Sequence, residues 1–343
     1  MRAVIAIIVF SLSSVIGSHA RIVPTPGSES LQQLYEAAFL VFRGEIVSVE
    51  HDREIDGIWG GQAVRLRVFT AKAVVDRQYK GPLDASRIEI VYRQPTGDIC
   101  AVSKCETLNP GDYGLFFLAQ DSEGYHMLNT YAGKFAVSRL KSEGYSAGVG
   151  GVEADLIAGL KDNDKERLVT NVELIGLLPQ VRSLSPLVML LASERDQKVQ
   201  GATYVALLRL RSYSKLQMAL DFAETPRQDS RTAIYQEQIC ELTSEIHDPV
   251  VVPTLLSFSH SKSDRVRESV IHSLRNVGSK EALPVFIQAL DDPVKWIRYD
   301  AVLGLAALER KWDLAPSVDA FSEDEEKYIS AWKTWWASSG VRQ

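Results

Sequence analysis

Three cysteines in 343 residues cannot staple a fold together, and six histidines leave few ligands for a metal. Cys100 and Cys105 have no further Cys or His at zinc-ligand spacing. His51, His126, His247, His260 and His272 form no H-x-x-x-H pair, and no phosphate-cradling glycine loop precedes a helix. A surplus of positive charge is missing too. The 38 Lys and Arg stand against 44 Asp and Glu, for a formal net charge of -6. A nucleic-acid binder needs a basic face to displace counterions from phosphates, so no nucleic acid is expected as a partner. After the first residues there is no long apolar run, so no membrane insertion is expected from the rest of the chain. No cofactor, no metal and no catalytic constellation is therefore expected.

What is present is a chain able to pack a core, with 45% hydrophobic and 24% charged residues. Its first twenty residues read as a cleaved signal. Arg2 supplies the positive end, Ala3 to Phe10 the apolar centre, and Ser18-His19-Ala20 the small residues at the cleavage site. The apolar run falls short of the roughly 20 residues of a membrane span. The expected mature protein begins near Arg21 and is secreted or periplasmic. Export makes oxidation available, so a local disulfide is expected between Cys100 and Cys105. Cys240 lies in an apolar helical segment and reads as a small buried hydrophobe.

Residues 21–141 carry a strand pattern. After a Pro/Gly/Ser-rich start and a short helix over Leu31 to Ala38, the apolar period drops to two. Leu40, Phe42, Gly44 and Ile46 alternate with Val41, Arg43 and Glu45. Val64, Leu66 and Val68 face one way, and Ala71, Ala73 and Val75 continue shifted by one residue, as a bulge in that strand would make them. Ile88 to Tyr92, Tyr113 to Leu118 and Gly124 to Val137 complete five strands, with Asp121-Ser122-Glu123-Gly124 as a hairpin turn. Five strands with a bulged long one predict a small OB-like β-barrel. On such a barrel Arg65, Arg67, Arg93 and Tyr92 are binding candidates, although alternating Arg on a strand is commonly its solvated face.

AAFLVFRGEIVSVE (Ala37–Glu50), VVDRQYKG (Val74–Gly81) and CETLNPGDYGLFFL (Cys105–Leu118) carry a further signal. They resemble the barrel of the netrin-module and tissue-inhibitor-of-metalloproteinases superfamily. The resemblance implies the fold and covers about a third of the chain. Animal inhibitors of this type place an N-terminal Cys on the protease zinc. The expected mature start, Arg21-Ile22-Val23, has none.

A Gly/Ser-rich joint, residues 142–151, separates strand-like from helix-like periodicity. It contains Gly144-Tyr145-Ser146-Ala147-Gly148, literally the G-x-S-x-G of a nucleophile elbow. That motif needs a strained strand-to-helix turn on a parallel sheet, with an acid and a His following. Helical hairpins follow instead, so the match is read as chance.

Residues 152–340 repeat. DRVRESVIHSLRNVG (Asp264–Gly278) and KWIRYDAVLGLAALE (Lys295–Glu309) superimpose at a shift of 31 residues, placing Val266 on Ile297, Val270 on Ala301 and Leu274 on Leu305. Val252, Pro253 and Leu256 fall on Leu283, Pro284 and Ile287 at the same shift. Such a period marks stacked helical hairpins. "Asp-x-x-Val-Arg" opening each second helix resembles HEAT repeats, closest to the bacterial lyase-type subgroup. Gln200 and Gln236 replace the arginine in earlier units. Arg267 and Arg298 are expected to make structural ladders to acids such as Asp264 and Asp292. Tyr328, Trp332, Trp335 and Trp336 read as a helix that caps the stack.

The fold class predicted is multidomain α+β, an OB-like barrel followed by an all-α HEAT-like solenoid. If Val266, Val270, Leu274 and Val277 face inward, Glu268, His272 and Arg275 face out, and Tyr299, Leu303 and Ala306 take those places one repeat on. Glu268, His272, Tyr299 and Leu303 are thus the candidate binding residues. The function expected is a non-enzymatic exported scaffold holding a protein or peptide partner. A protease inhibitor acting through the barrel rim and an accessory factor of an enzyme are the alternatives.

Overall fold

The computed structural model describes residues 30–59, 61–82, 86–96, 107–128, 133–144, 147–179, 181–182, 184–226 and 229–339. The expected signal segment, Cys100, Cys105 and Ser146 lie outside the described residues.

Helix α1 (Leu31–Ala37) is set by a capping box: the Ser30 hydroxyl accepts from the Gln33 N–H, and the Gln33 side chain accepts from the Ser30 N–H. Six strands follow among the described residues: β1 (Leu40–Trp59), β2 (Gln62–Lys80), β3 (Arg87–Pro95), β4 (Tyr113–Asp121), β5 (Gly124–Met127) and β6 (Lys134–Phe135). They form one sheet in the order β1-β2-β3-β5-β4-β6, and β1 also pairs with β4. All pairs are antiparallel except β3 with β5, which meet in parallel at Ile90 and Tyr125. Of the expected final strand over Gly124 to Val137, the described residues hold two short pieces, β5 and β6, and 129–132 lie outside the described residues.

Two expectations about β1 and β2 are corrected. β1 runs on past Ile46 to Trp59, where its own residues are largely exposed and leave no apolar alternation, although they pair with β2 residues that include the buried Leu66 and Val68. The change of parity in β2 is not a bulge. Its register with β3 is unbroken from Leu66–Pro95 to Val74–Arg87, so Leu66 and Val68 bury one face of β2 and Ala71 and Ala73 the other. The register shifts lie between β1 and β2, and they leave Val47 and Asp52 extra on β1 and Asp76 and Tyr79 extra on β2.

The sheet is buried on both faces where β1 and β4 meet. Leu40, Phe42, Ile46, Phe116 and Leu118 join Ala71, Ala73, Ile88 and Ile90 in one core. Val41, Leu115, Phe117 and the bulged Tyr79 turn the other way, into a core shared with α1 and the helices that follow.

Those helices form six successive pairs among the described residues: α2 (Val149–Ala158) with α3 (Lys165–Gly176), α4 (Ser185–Ser193) with α5 (Gln197–Arg209), α6 (Leu216–Glu224) with α7 (Ser230–Ser244), α8 (Val252–Phe258) with α9 (Asp264–Val277), α10 (Leu283–Ala289) with α11 (Lys295–Glu309), and α12 (Val318–Glu323) with α13 (Glu325–Ser338). The second helix of each pair packs on the second helix of the next, α3 on α5, α7, α9, α11 and α13 in turn. Asp164, Asp196, Asp229 and Ser263 cap α3, α5, α7 and α9 with their side chains. Pro253 and Pro284 stand in the first turns of α8 and α10, where the missing N–H costs no helix bond.

Sheet and helices are joined by a buried charge cluster, not by contact of apolar surfaces alone. Arg43, 2% exposed, meets Asp155, 3% exposed, at 3.1 Å. Arg77 reaches the same carboxylate at 2.7 Å, the Tyr79 hydroxyl donates to it at 2.5 Å, and the Ser142 N–H and hydroxyl donate at 2.8 and 2.7 Å. Arg43 also donates to the carbonyls of Ser138 and Leu140. Burial alone would raise the Asp155 carboxyl; bonds from Tyr79 and Ser142 and the Arg43 charge hold it below the usual carboxylate range. The joint expected at 142–151 therefore includes a fixed part, with Ser142 held by Asp155 and α2 starting at Val149.

Candidate interaction surface

The arginines that open α9 and α11 are structural. Arg267 donates to Asp292 at 2.7 and 3.1 Å, to Asp264 at 2.9 Å and to the Ser261 carbonyl at 2.9 Å. Arg298, one repeat on, bonds Glu325 and the Asp292 carbonyl, the latter at 2.6 Å. Each arginine thus closes its own hairpin through a carbonyl six residues back and ties it to the next through a carboxylate. Gln200 keeps the first half of this role, donating to the Glu194 carbonyl at 2.8 Å. Gln236 does not occupy the arginine position. It sits two turns into α7 and donates to the Phe222 and Thr225 carbonyls at 3.1 and 2.9 Å.

With the arginines occupied, the outward side of the second helices is left. Glu268 is exposed on α9. His272 lies one turn on, and its Nδ1 meets the Asp300 carboxylate at 2.9 Å. Arg275 bonds the other Asp300 oxygen and approaches His272 Nε2 at 3.1 Å. An Nδ1–H tautomer satisfies both ring nitrogens at once, donating to Asp300 and accepting from Arg275. The ring is therefore positioned from α11 while one edge stays open.

Glu268 and His272 come together on a groove of about 420 Å³ between α7 and α9, which Glu237, Cys240, Glu241 and Arg265 also line. The Cys240 thiol is pushed up to about 11, first by burial, and is protonated at neutral pH. Among the described residues no group of three or more His, Cys, Asp or Glu is placed to hold a metal ion.

Tyr299 and Leu303 are not in the lining of this groove. Tyr299 turns to the end of the stack. Its ring packs on Phe321 with centroids 5.1 Å apart, and its hydroxyl donates to the Pro316 carbonyl at 3.2 Å. Leu303 is half-buried, and Ala306, expected outward, is fully buried. The segment from Pro316 through α12 reaches back over α11, a closure that a repeat pattern alone does not encode.

The pattern also missed a second charged group on the second helices. Tyr235 on α7 donates to Glu173 on α3 at 2.5 Å, and Arg231 on α7 bonds Glu166 on α3. Both reach past the intervening helix α5. Gly201 makes this possible, since a Cβ there would meet Tyr235 at 2.8 Å and Phe222 at 3.0 Å. A glycine inside a helix is the one sequence mark of such close approach.

Residues 227–306, from just before α7 into α11, match the family HEAT repeats. No curated protein matches the chain. Among solved structures, a crystal structure of an engineered protein is similar over 52% of this chain and 95% of its own, at 14% identity and a TM-score of 0.32. No helix of the described residues is long and apolar enough to cross a membrane. Helical hairpins with a HEAT-repeat match, following a six-stranded sheet, suggest a protein-interaction scaffold.

Proposed function

We propose that this protein is an exported, non-enzymatic scaffold whose second-helix face, from α7 to α11, holds a segment of a protein or peptide partner. The observation that carries the reading is the groove between α7 and α9, because it lies within the HEAT match and gathers Glu268 and His272 on one open side. Repeat arrays build extended binding surfaces of this kind from stacked neighbours. The N-terminal sheet is read as an OB-like barrel of the netrin and metalloproteinase-inhibitor type. The cycle of pairings β1-β2-β3-β5-β4-β1, with β3 and β5 parallel, supports its closure. The barrel then serves as the base to which the array is fixed, through Arg43 and Asp155.

The test is site-specific photo-crosslinking in the native envelope or medium. A photoreactive residue at Glu268 is expected to capture a discrete partner. The same residue at Gln288, exposed on the first helix α10, is expected to capture none. Equal capture from both positions, or from neither, contradicts the reading.

A further inference from the structure

Arg209 stands at the C-terminal end of α5, half-buried, in a groove of about 920 Å³ that differs from the one holding Glu268. The other half-buried arginines of the helical part find carboxylates: Arg167 with Asp162, Arg231 with Glu166, Arg267 with Asp292, Arg275 with Asp300 and Arg298 with Glu325. Arg209 makes no ion pair and no side-chain hydrogen bond among the described residues. Glu173 and Glu241 act on it only from a distance, and burial, the largest influence, pushes the guanidinium below its ordinary value. A guanidinium drawn partly out of water with its donor fork unfilled is an unbalanced cost in the free protein.

The rest of the groove says what would balance it. Its lining is mixed: Leu177, Leu208, Leu242 and Ile246 supply apolar surface, and Arg211 lines it as well as Arg209. Glu245 and Asp248 also line it, and the Asp248 carboxylate is engaged by the Val250 N–H at 3.0 Å. The two carboxylates of the lining repel a doubly charged phosphate more than a singly charged carboxylate, and the latter also matches the planar fork of a guanidinium.

We propose that this groove receives a carboxylate of the partner segment on Arg209, with the apolar group next to that carboxylate against the leucines. This rests on the partner-holding reading above and adds the chemistry of what is held. The carboxylate comes from either a chain terminus or an acidic side chain. Three probes separate the sources: N-acetylleucine, the α-amide of N-acetylglutamic acid, and neutral N-acetylleucinamide.

Melting of the full mature chain is followed with each probe. At least one acid is expected to raise the melting temperature, naming the source, and the neutral amide to leave it unchanged. Arg209→Met is expected to bind the acid about tenfold or more weakly, as loss of a charge-assisted pair implies, while melting no lower than the wild type. Arg209→Lys, which keeps the charge but not the fork, is expected to fall between. No response to either acid, an equal response to the amide, or an undiminished response in Arg209→Met overturns the inference. If photo-crosslinking from Glu268 persists unchanged in Arg209→Met, only the carboxylate site is lost; if Glu268 captures nothing in the wild type, the partner-holding reading fails first.

Discussion

Asp155 is the residue on which the joint between sheet and helices turns. It takes two arginines, a tyrosine and both donors of Ser142, whereas Asp76, a second acid near Arg43, is reached through the Tyr113 hydroxyl. Replacing it with Asn leaves Arg43 and Arg77 facing a neutral group, and breaking a buried pair in this way costs about 3–5 kcal/mol. The pH dependence has a definite sign. The folded-state value of this carboxyl is depressed, so its contribution is fully present above the unfolded value of about 3.9 and is lost as pH falls through the folded one. Urea melts of wild type and Asp155→Asn are expected to differ by a constant amount near neutrality and to converge only below about pH 4. A gap already closing at pH 6 contradicts the assignment. None of this was legible in the sequence. Arg43 alternates with Phe42 and Gly44 as a solvated residue of a strand does, and its partner lies in another part of the chain. Arg267 was legible, because its partners repeat with the unit itself.

At the scale of elements, the second helices are spaced by what their neighbours lack. Gly201 lets Tyr235 lie close over α5, and Gly304 does the same for the Phe286 ring, which a Cβ would meet at 2.7 Å. Gly201→Val is expected to displace Tyr235 from Glu173 and to destabilise the protein by about 1–3 kcal/mol, measured by chemical denaturation. A neutral or stabilising result means the helix has room that the geometry denies. The last hairpin closes the stack. Trp332 is fully buried, Phe321 likewise, and Arg298 depends on Glu325 of α13. Truncation after Leu308 removes these contacts and is expected to lower the melting temperature by several degrees or more; an unchanged value would mean that Tyr328, Trp335 and Trp336 serve something outside the stack. The hairpins were readable because apolar residues recur at helical spacing with Asp, Ser and Pro at their ends. The length of β1 was not, since its residues beyond Ile46 are largely exposed and leave no apolar alternation to read.

For the molecule as a whole, the apolar core is continuous from Leu31 of α1, across one face of the sheet, to Trp332 at the far end of the helices. The array is therefore anchored at one end by the sheet and sealed at the other by α13, and the proposed partner surface is the outward side of the second helices between them. The most direct measurement is hydrogen exchange on the full chain with and without the species captured through Glu268. Protection centred on α7, α9 and the start of α11, and reaching the C-terminal end of α5 at Arg209, is the result this account predicts. Protection confined to the first helices α8 and α10, or to the strands β1 to β5, would contradict it.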